Sequence, residues 1–176
     1  TVSDTQLNRF AACYERAPDK SLRLQDDPET SRYRSTPVAP SGAGGLVGTV
    51  SDYANFCEML LQKGQFRGKQ FIGRPILELM RRNHLGDQSL AQMAVGGFSE
   101  TSNDGVGFGL GFATTMDAVA SGTVGEGDFY WGGLASTLFW VDPIEDIYAI
   151  FMTQLIPSST FNFRGQIKNL VYGALS

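Results

Sequence analysis

Gly127-Asp128-Phe129-Tyr130-Trp131-Gly132-Gly133-Leu134-Ala135-Ser136-Thr137 is the stretch on which the reading of this chain turns. Phe129 to Trp131 reads as a strand, and two glycines follow its aromatic residues at the strand edge. Glycine there allows a substrate to lie against bare backbone. A Gly-Gly bulge uses the same letters, so the stretch acquires meaning from its neighbours. Downstream, Ala135 to Val141 and Ile147 to Gln154 read as two more strands. Asp142-Pro143-Ile144-Glu145-Asp146 is the turn that makes them an antiparallel hairpin. Both strands are apolar at nearly every position, so both faces should be covered. Phe163, Ile167, Leu170, Val171, Ala174 and Leu175 then recur at helical spacing and predict a terminal amphipathic helix to do so.

Upstream, Val106, Phe108, Leu110 and Phe112 alternate with Gly107, Gly109, Gly111 and Ala113. That predicts one strand with a large apolar face and a bare face, against which another backbone or a ligand lies close. The first half of the chain has a different period. Ser3 to Arg16 reads as a helix, with Leu7, Phe10, Ala11 and Tyr14 on one side and Ser3 with Gln6 as a capping box; Pro18 and Asp19 end it. Lys20 to Ser41 is an irregular arm with short strands, broken by Pro28, Pro37 and Pro40. Ser41-Gly42-Ala43-Gly44-Gly45-Leu46 is a glycine-rich turn. It leads into a helix capped by Thr49 with Asp52, whose Val50, Tyr53, Ala54, Cys57, Leu60 and Leu61 keep helical spacing until Gly64. Pro75 suits the first turn of a second helix, with Ile76, Leu79 and Met80 inward. Leu85 to Gly105 is polar and predicts a loop with at most one helical turn. The chain is therefore α+β: residues 1–105 mainly helical and irregular, residues 106–176 an antiparallel sheet and a covering helix.

Composition limits the function. The chain has 176 residues, 42% hydrophobic and 18% charged, enough for one core. A net charge of −4 argues against a nucleic-acid surface or an anionic membrane. One histidine and two cysteines leave no ordinary zinc cluster, and no apolar run is long enough for a membrane span. No reading calls for a cofactor. The N-terminus, Thr-Val-Ser-Asp, looks like the middle of a longer protein.

Motifs that carry chemistry are mostly absent from the sequence. There is no Gly-x-Ser-x-Gly elbow, no Ser-x-x-Lys, and no Gly-Lys-Ser/Thr after the glycines at 42–45. His84 sits just past a helix with no visible serine partner, the pattern of a surface or helix-end histidine. Glu145 and Asp146 lie in a turn, where acidic residues serve the backbone. Tyr53-Ala54-Asn55 has the letters of a Tyr-x-Asn motif, but Tyr53 is a core position of a periodic helix.

Taken in order, several pieces resemble one family. They are residues 41–46 with Thr49, Asp52-Tyr53-Ala54-Asn55-Phe56, and Leu79-Met80 with Asn83-His84-Leu85. Then come Gly107-Phe108-Gly109-Leu110-Gly111-Phe112, Trp131-Gly132-Gly133, Phe139-Trp140-Val141-Asp142-Pro143 and Phe151-Met152-Thr153-Gln154. Together they resemble the C-terminal part of class C β-lactamase-like serine hydrolases, closest to the carboxylesterase branch. The resemblance implies a β-lactamase/penicillin-binding-protein-like fold and an acyl-serine mechanism. It also implies three motifs: Ser-x-x-Lys, a tyrosine base, and a third motif on a strand. Only the third is here, as Trp131-Gly132-Gly133, with substrate against these residues and the Leu134 backbone N–H donating to the oxyanion. Trp131 is uncharged where a lactamase holds a ligand carboxylate, so esters fit better than anionic β-lactams. The chain is then expected to be a piece without its catalytic N-terminal part, inactive alone. Its expected partners are that missing part or a swapped copy of itself, and a small ester or β-lactam substrate. A β-lactamase or D-alanyl peptidase fragment, or a non-catalytic binding scaffold, is the alternative.

Overall fold

The computed structural model describes residues 1–176 except 38, 40, 43 and 94–102. Pro40, Ala43 of the glycine-rich turn, and the later part of the 85–105 loop therefore lie outside the described residues.

The centre is a five-stranded antiparallel meander in the order β5 (Val106–Phe108), β6 (Ala113–Thr115), β7 (Phe129–Gly132), β8 (Leu138–Asp142), β9 (Ile147–Phe151). Two helices cover one face. These are α1 (Val50–Leu61) and α2 (Arg74–Met80), whose Cys57, Met59, Leu60 and Leu77 pack with Phe112, Phe129, Phe139 and Val141. The helix α4 (Phe163–Tyr172) covers the other face, where Tyr172 stacks on Trp140. A single turn, α3 (Ala118–Ser121), joins β6 to β7, and a small ribbon, β3 (Gln65–Phe66) with β4 (Lys69–Gln70), joins α1 to α2. Every residue of β8 is buried, as the apolar run Leu138 to Val141 requires, and the run ends in the buried Asp142. β9 is only half-buried, because it is the edge strand.

Local signals that need no distant partner hold. Thr49 accepts the Asp52 N–H at 3.1 Å, and the Asp52 carboxylate takes the Thr49 N–H at 2.8 Å, a complete capping box on α1. Pro75 sits in the first turn of α2. The Asp142 carboxylate accepts the Ile144 and Glu145 N–H groups at 2.8 and 3.2 Å and shapes the β8–β9 turn.

Other expectations are corrected. Ser3–Arg16 is not one helix. A 3-10 turn, Asp4–Arg9, is followed by the strand β1 (Cys13–Arg16). β1 is claimed on one side by β2 (Leu22–Asp26), antiparallel, and on the other by β10 (Leu155–Ile156), parallel. Two neighbours outweigh a weak helical pattern. Pro18 and Asp19 therefore open a turn between strands, with Asp19 accepting the Ser21 N–H at 3.0 Å. The strand expected over 147–154 stops at Phe151, since β10 leaves to join β1; the strand expected from Ala135 begins at Leu138.

The stretch 106–113 is a hairpin, not one strand. Gly109 N–H donates to the Phe112 carbonyl at 2.7 Å, and Gly111 takes φ +104°, which turns the chain back. The expectation of a close backbone on the bare side is met. A Cβ on Gly109 would lie 2.0 Å from the Met80 carbonyl oxygen, so the end of α2 rests directly on this hairpin. On α2 itself, Leu77 is buried and Met80 half-buried, whereas Ile76 and Leu79 are exposed. The 85–105 loop holds one described 3-10 turn, Leu90–Met93.

Helix α4 is present from Phe163 but ends at Tyr172, before Ala174 and Leu175, and is turned differently from the expected apolar stripe. Lys168 is buried and Leu170 is 74% exposed. Arg164, Lys168 and Tyr172, spaced by one turn each, face the sheet. The cause is on the sheet: Asp128 and Asp142 are buried there and require partners.

Candidate functional site: the loop between β7 and β8

β7 and β8 pair in register from Phe129↔Val141 to Gly132↔Leu138, so the two glycines are not a bulge within the ladder. Residues 133–137 form the connecting loop. Gly133 N–H donates to the Thr137 carbonyl at 3.0 Å, and Ser136 N–H donates to the Gly133 carbonyl at 3.1 Å. Two bonds tie the loop to β10: Ser136 Oγ donates to the Leu155 carbonyl at 2.6 Å, and Leu155 N–H donates to the Ala135 carbonyl at 3.2 Å. Ser136 adopts φ +64° to make this turn.

The glycines serve the protein's own packing. A Cβ on Gly132 would lie 2.3 Å from Arg164 Nη2, and one on Gly133 would lie 2.2 Å from Thr137 Oγ1. Arg164 Nη2 donates to the Gly133 carbonyl at 3.1 Å. What the loop offers outward is different: the Leu134 side chain, 64% exposed, and Trp131, 40% exposed, whose ring meets Phe108 edge-on at 5.1 Å. Among the described residues, no acceptor is paired with the Leu134 backbone N–H. Trp131, Gly132, Gly133 and Leu134 are thus contiguous on one rigid hairpin end. Arg164 joins them from a distant helix.

Behind the sheet lies a buried polar cluster that the sequence reading missed. Lys168 Nζ is 2.5 Å from Asp128 Oδ2 and donates to Thr115 Oγ1 at 3.2 Å. Thr115 Oγ1 donates to Asp128 Oδ1 at 2.6 Å. Tyr172 donates its hydroxyl to Asp142 and sits 3.4 Å from Asp128. Burial pushes the Asp128 carboxyl up from its ordinary range, against the pull of the Lys168 ammonium. Burial, then the Asp142 carboxylate that accepts its proton, also pushes the Tyr172 phenol up. The available signal was the polar stripe Arg164-Lys168-Tyr172, hidden because the apolar residues of the same helix also keep period.

Other candidates stand apart from this loop. Tyr53 packs edge-on to Phe139 at 5.2 Å, and burial pushes its phenol up to about 12, the opposite of what a general base needs. His84 is exposed, with Nε2 2.8 Å from the Leu79 carbonyl at the end of α2. Glu145 and Asp146 are exposed in their turn. A small cleft lined by Leu61, Leu77, Arg81 and Ile144 opens at the far end of β7. Among the described residues, no group of three His, Cys, Asp or Glu side chains is placed to hold a metal. No helix among them is long and apolar enough to cross a membrane.

The family model described as Beta-lactamase matches residues 1–168. The chain belongs to the beta-lactamase family. Protein Rv1367c of Mycobacterium tuberculosis (strain ATCC 25618 / H37Rv) is 29% identical over 160 residues, which are 89% of this chain and 39% of that protein. Among solved structures, EstCE1, a hydrolase with promiscuous acyltransferase activity, superposes with a TM-score of 0.72 at 24% identity, over 96% of this chain and 45% of that one. Simvastatin synthase (LovD) from Aspergillus terreus, in its LovD6 mutant, gives 0.72 at 19% identity over 97% and 43%. At these identities the likeness is one of fold. The chain spans less than half the length of each of these relatives. The β-lactamase-like fold with its antiparallel sheet and covering helices is therefore established, as is membership of the beta-lactamase family.

Proposed function

We propose that this chain is the part of a serine ester hydrolase that carries the third motif and half of the oxyanion hole. Acyl transfer would run through an acyl-serine whose nucleophile, lysine and tyrosine lie outside these 176 residues. The observation that carries the reading is the unpaired Leu134 N–H on a pinned loop beside Trp131-Gly132-Gly133. A preorganised backbone donor of this kind stabilises the oxygen that gains charge as the tetrahedral intermediate forms. Trp131 and Phe108 supply an apolar, uncharged wall, which favours a neutral ester over an anionic β-lactam. The hydrolase and acyltransferase chemistry named for EstCE1 is in keeping with this. Substrate sits against the Trp131 ring and the loop's backbone. The chain alone, having no nucleophile, does not turn over.

The test is made in the full-length protein with a short-chain nitrophenyl ester. The reading needs only a backbone amide at 134, so Leu134→Ala should stay within a few-fold of wild type. Leu134→Pro removes the donor, at a cost of about 3 kcal/mol in the transition state, or about a hundredfold in kcat. A folded Leu134→Pro protein with near-native kcat would refute the assignment. Saturable, serine-inhibitor-sensitive turnover by the isolated chain would refute the division of labour.

A further inference from the structure

We infer that Arg164 is the positioning residue of the oxyanion donor, holding the Gly133–Leu134 peptide from behind. The inference rests on the oxyanion reading of Leu134. The Gly133 carbonyl and the Leu134 N–H are the two ends of one planar trans peptide and point in opposite directions. Whatever holds the carbonyl therefore aims the N–H. Two donors hold it, Ser136 N–H and Arg164 Nη2, each at 3.1 Å. The first comes with the turn. The second arrives from a helix 31 residues away, and nothing in the turn requires it. It is also cationic. A charged donor on a carbonyl polarises the amide more than a neutral one at the same distance, which makes the opposite N–H a better donor.

Three features fix the guanidinium there. Gly132 has no side chain, and its α-carbon is the surface against which Arg164 lies. Asn162 caps α4 by accepting the Gly165 N–H at 3.1 Å, which sets where the first turn begins. One turn further, Lys168 is locked to Asp128 and Thr115, which fixes the helix register. Arg164 thus acts on the side of the peptide away from the substrate and touches no reacting atom. This also accounts for Gly132 without any substrate contact: a Cβ there displaces the guanidinium.

The test uses Arg164→Met, Arg164→Lys and Leu134→Pro in the full-length protein, singly and combined, on the same nitrophenyl ester. Arg164→Met should lower kcat about tenfold with KM within twofold, since the donor matters in the transition state and not in ground-state binding. Arg164→Lys, which keeps a charged donor but not the planar fork, should recover part of the loss. In the Leu134→Pro background, Arg164→Met should cost nothing further, because the amide through which it acts is gone. If Leu134→Pro keeps native kcat, the oxyanion reading falls and Arg164 with it. If Leu134→Pro is crippled while Arg164→Met keeps its kcat, or loses it in full on top of Leu134→Pro, the Arg164 inference alone is overturned. Should Arg164→Met fail to fold, Gly132→Ala carries the test. It should reproduce the kcat loss through the displaced guanidinium, and native kcat in folded Gly132→Ala would overturn the inference.

Discussion

Replacing Lys168 by methionine tests the attachment of α4 to the sheet. Lys168 and Asp128 are a buried pair, and Asp128 is fully inaccessible. The substitution keeps most of the side-chain volume and removes the ammonium from 2.5 Å beside the carboxylate. Asp128 is left with the Thr115 hydroxyl as a neutral donor, since the single Tyr172 proton goes to Asp142, and with Asp142 as a second carboxylate nearby. Breaking one side of a buried pair costs about 3–5 kcal/mol; the surviving Thr115 hydrogen bond puts this case near the lower end, about 3 kcal/mol. For a unit of 176 residues that is a fall in Tm of about 6–12 °C, and proportionately less in the longer full-length protein. The deficit has a definite pH sign. Burial already raises the Asp128 carboxyl, and losing Lys168 raises it further. A carboxyl whose pKa is raised in the folded state adds stability below its unfolded value and loses it as pH rises through the folded pKa. The Lys168→Met protein should therefore be least impaired near pH 4 and most impaired at pH 8. Adding Asp128→Asn removes the orphaned charge and should restore most of the loss. Thermal and urea unfolding of full-length wild type, Lys168→Met, Asp128→Asn and the double variant at both pH values measures this. A Lys168→Met protein within 1 kcal/mol (about) of wild type at pH 8, or a double variant as unstable as the single, would refute the reasoning.

Gly109→Ala should destabilise by about 2–3 kcal/mol, read from denaturant midpoints, because its Cβ meets the Met80 carbonyl, which is backbone and cannot swing away. Cys57 is inaccessible and burial pushes its thiol up to about 12, so the native protein should leave it unlabelled by an aromatic disulfide reagent at pH 8 and release it on unfolding. The isolated chain should self-associate or need a complementary piece. β9 is an unpaired edge, and Leu170, Leu22 and Leu24 are exposed; light scattering that shows a stable monomer at high concentration would count against this.

Features written in neighbouring residues were legible in the sequence. Thr49 with Asp52 starts α1, Pro75 starts α2, and Asp142 to Asp146 turns β8 into β9. Each needs only residues within a few positions of itself. The order of family-like pieces, ending in Trp131-Gly132-Gly133, was legible for the same reason, and it carried the fold. Tertiary structure decided what depended on partners far along the chain. Cys13 to Arg16 is a strand because Leu155 and Ile156 lie beside it, and helical spacing in one short segment cannot reveal that neighbour. The 106–115 stretch folds back at Gly111 because the end of α2 occupies the space beside Gly109, and alternation alone reads the same for one strand or two. Helix α4 has two periodic stripes. Which one faces inward was settled by buried carboxylates just before β7 and at the end of β8, not by the hydrophobicity of the helix. That choice brings Lys168 to Thr115 across 53 residues and Arg164 to Gly133 across 31, so the floor of the candidate site exists only once the sheet and the helix have met.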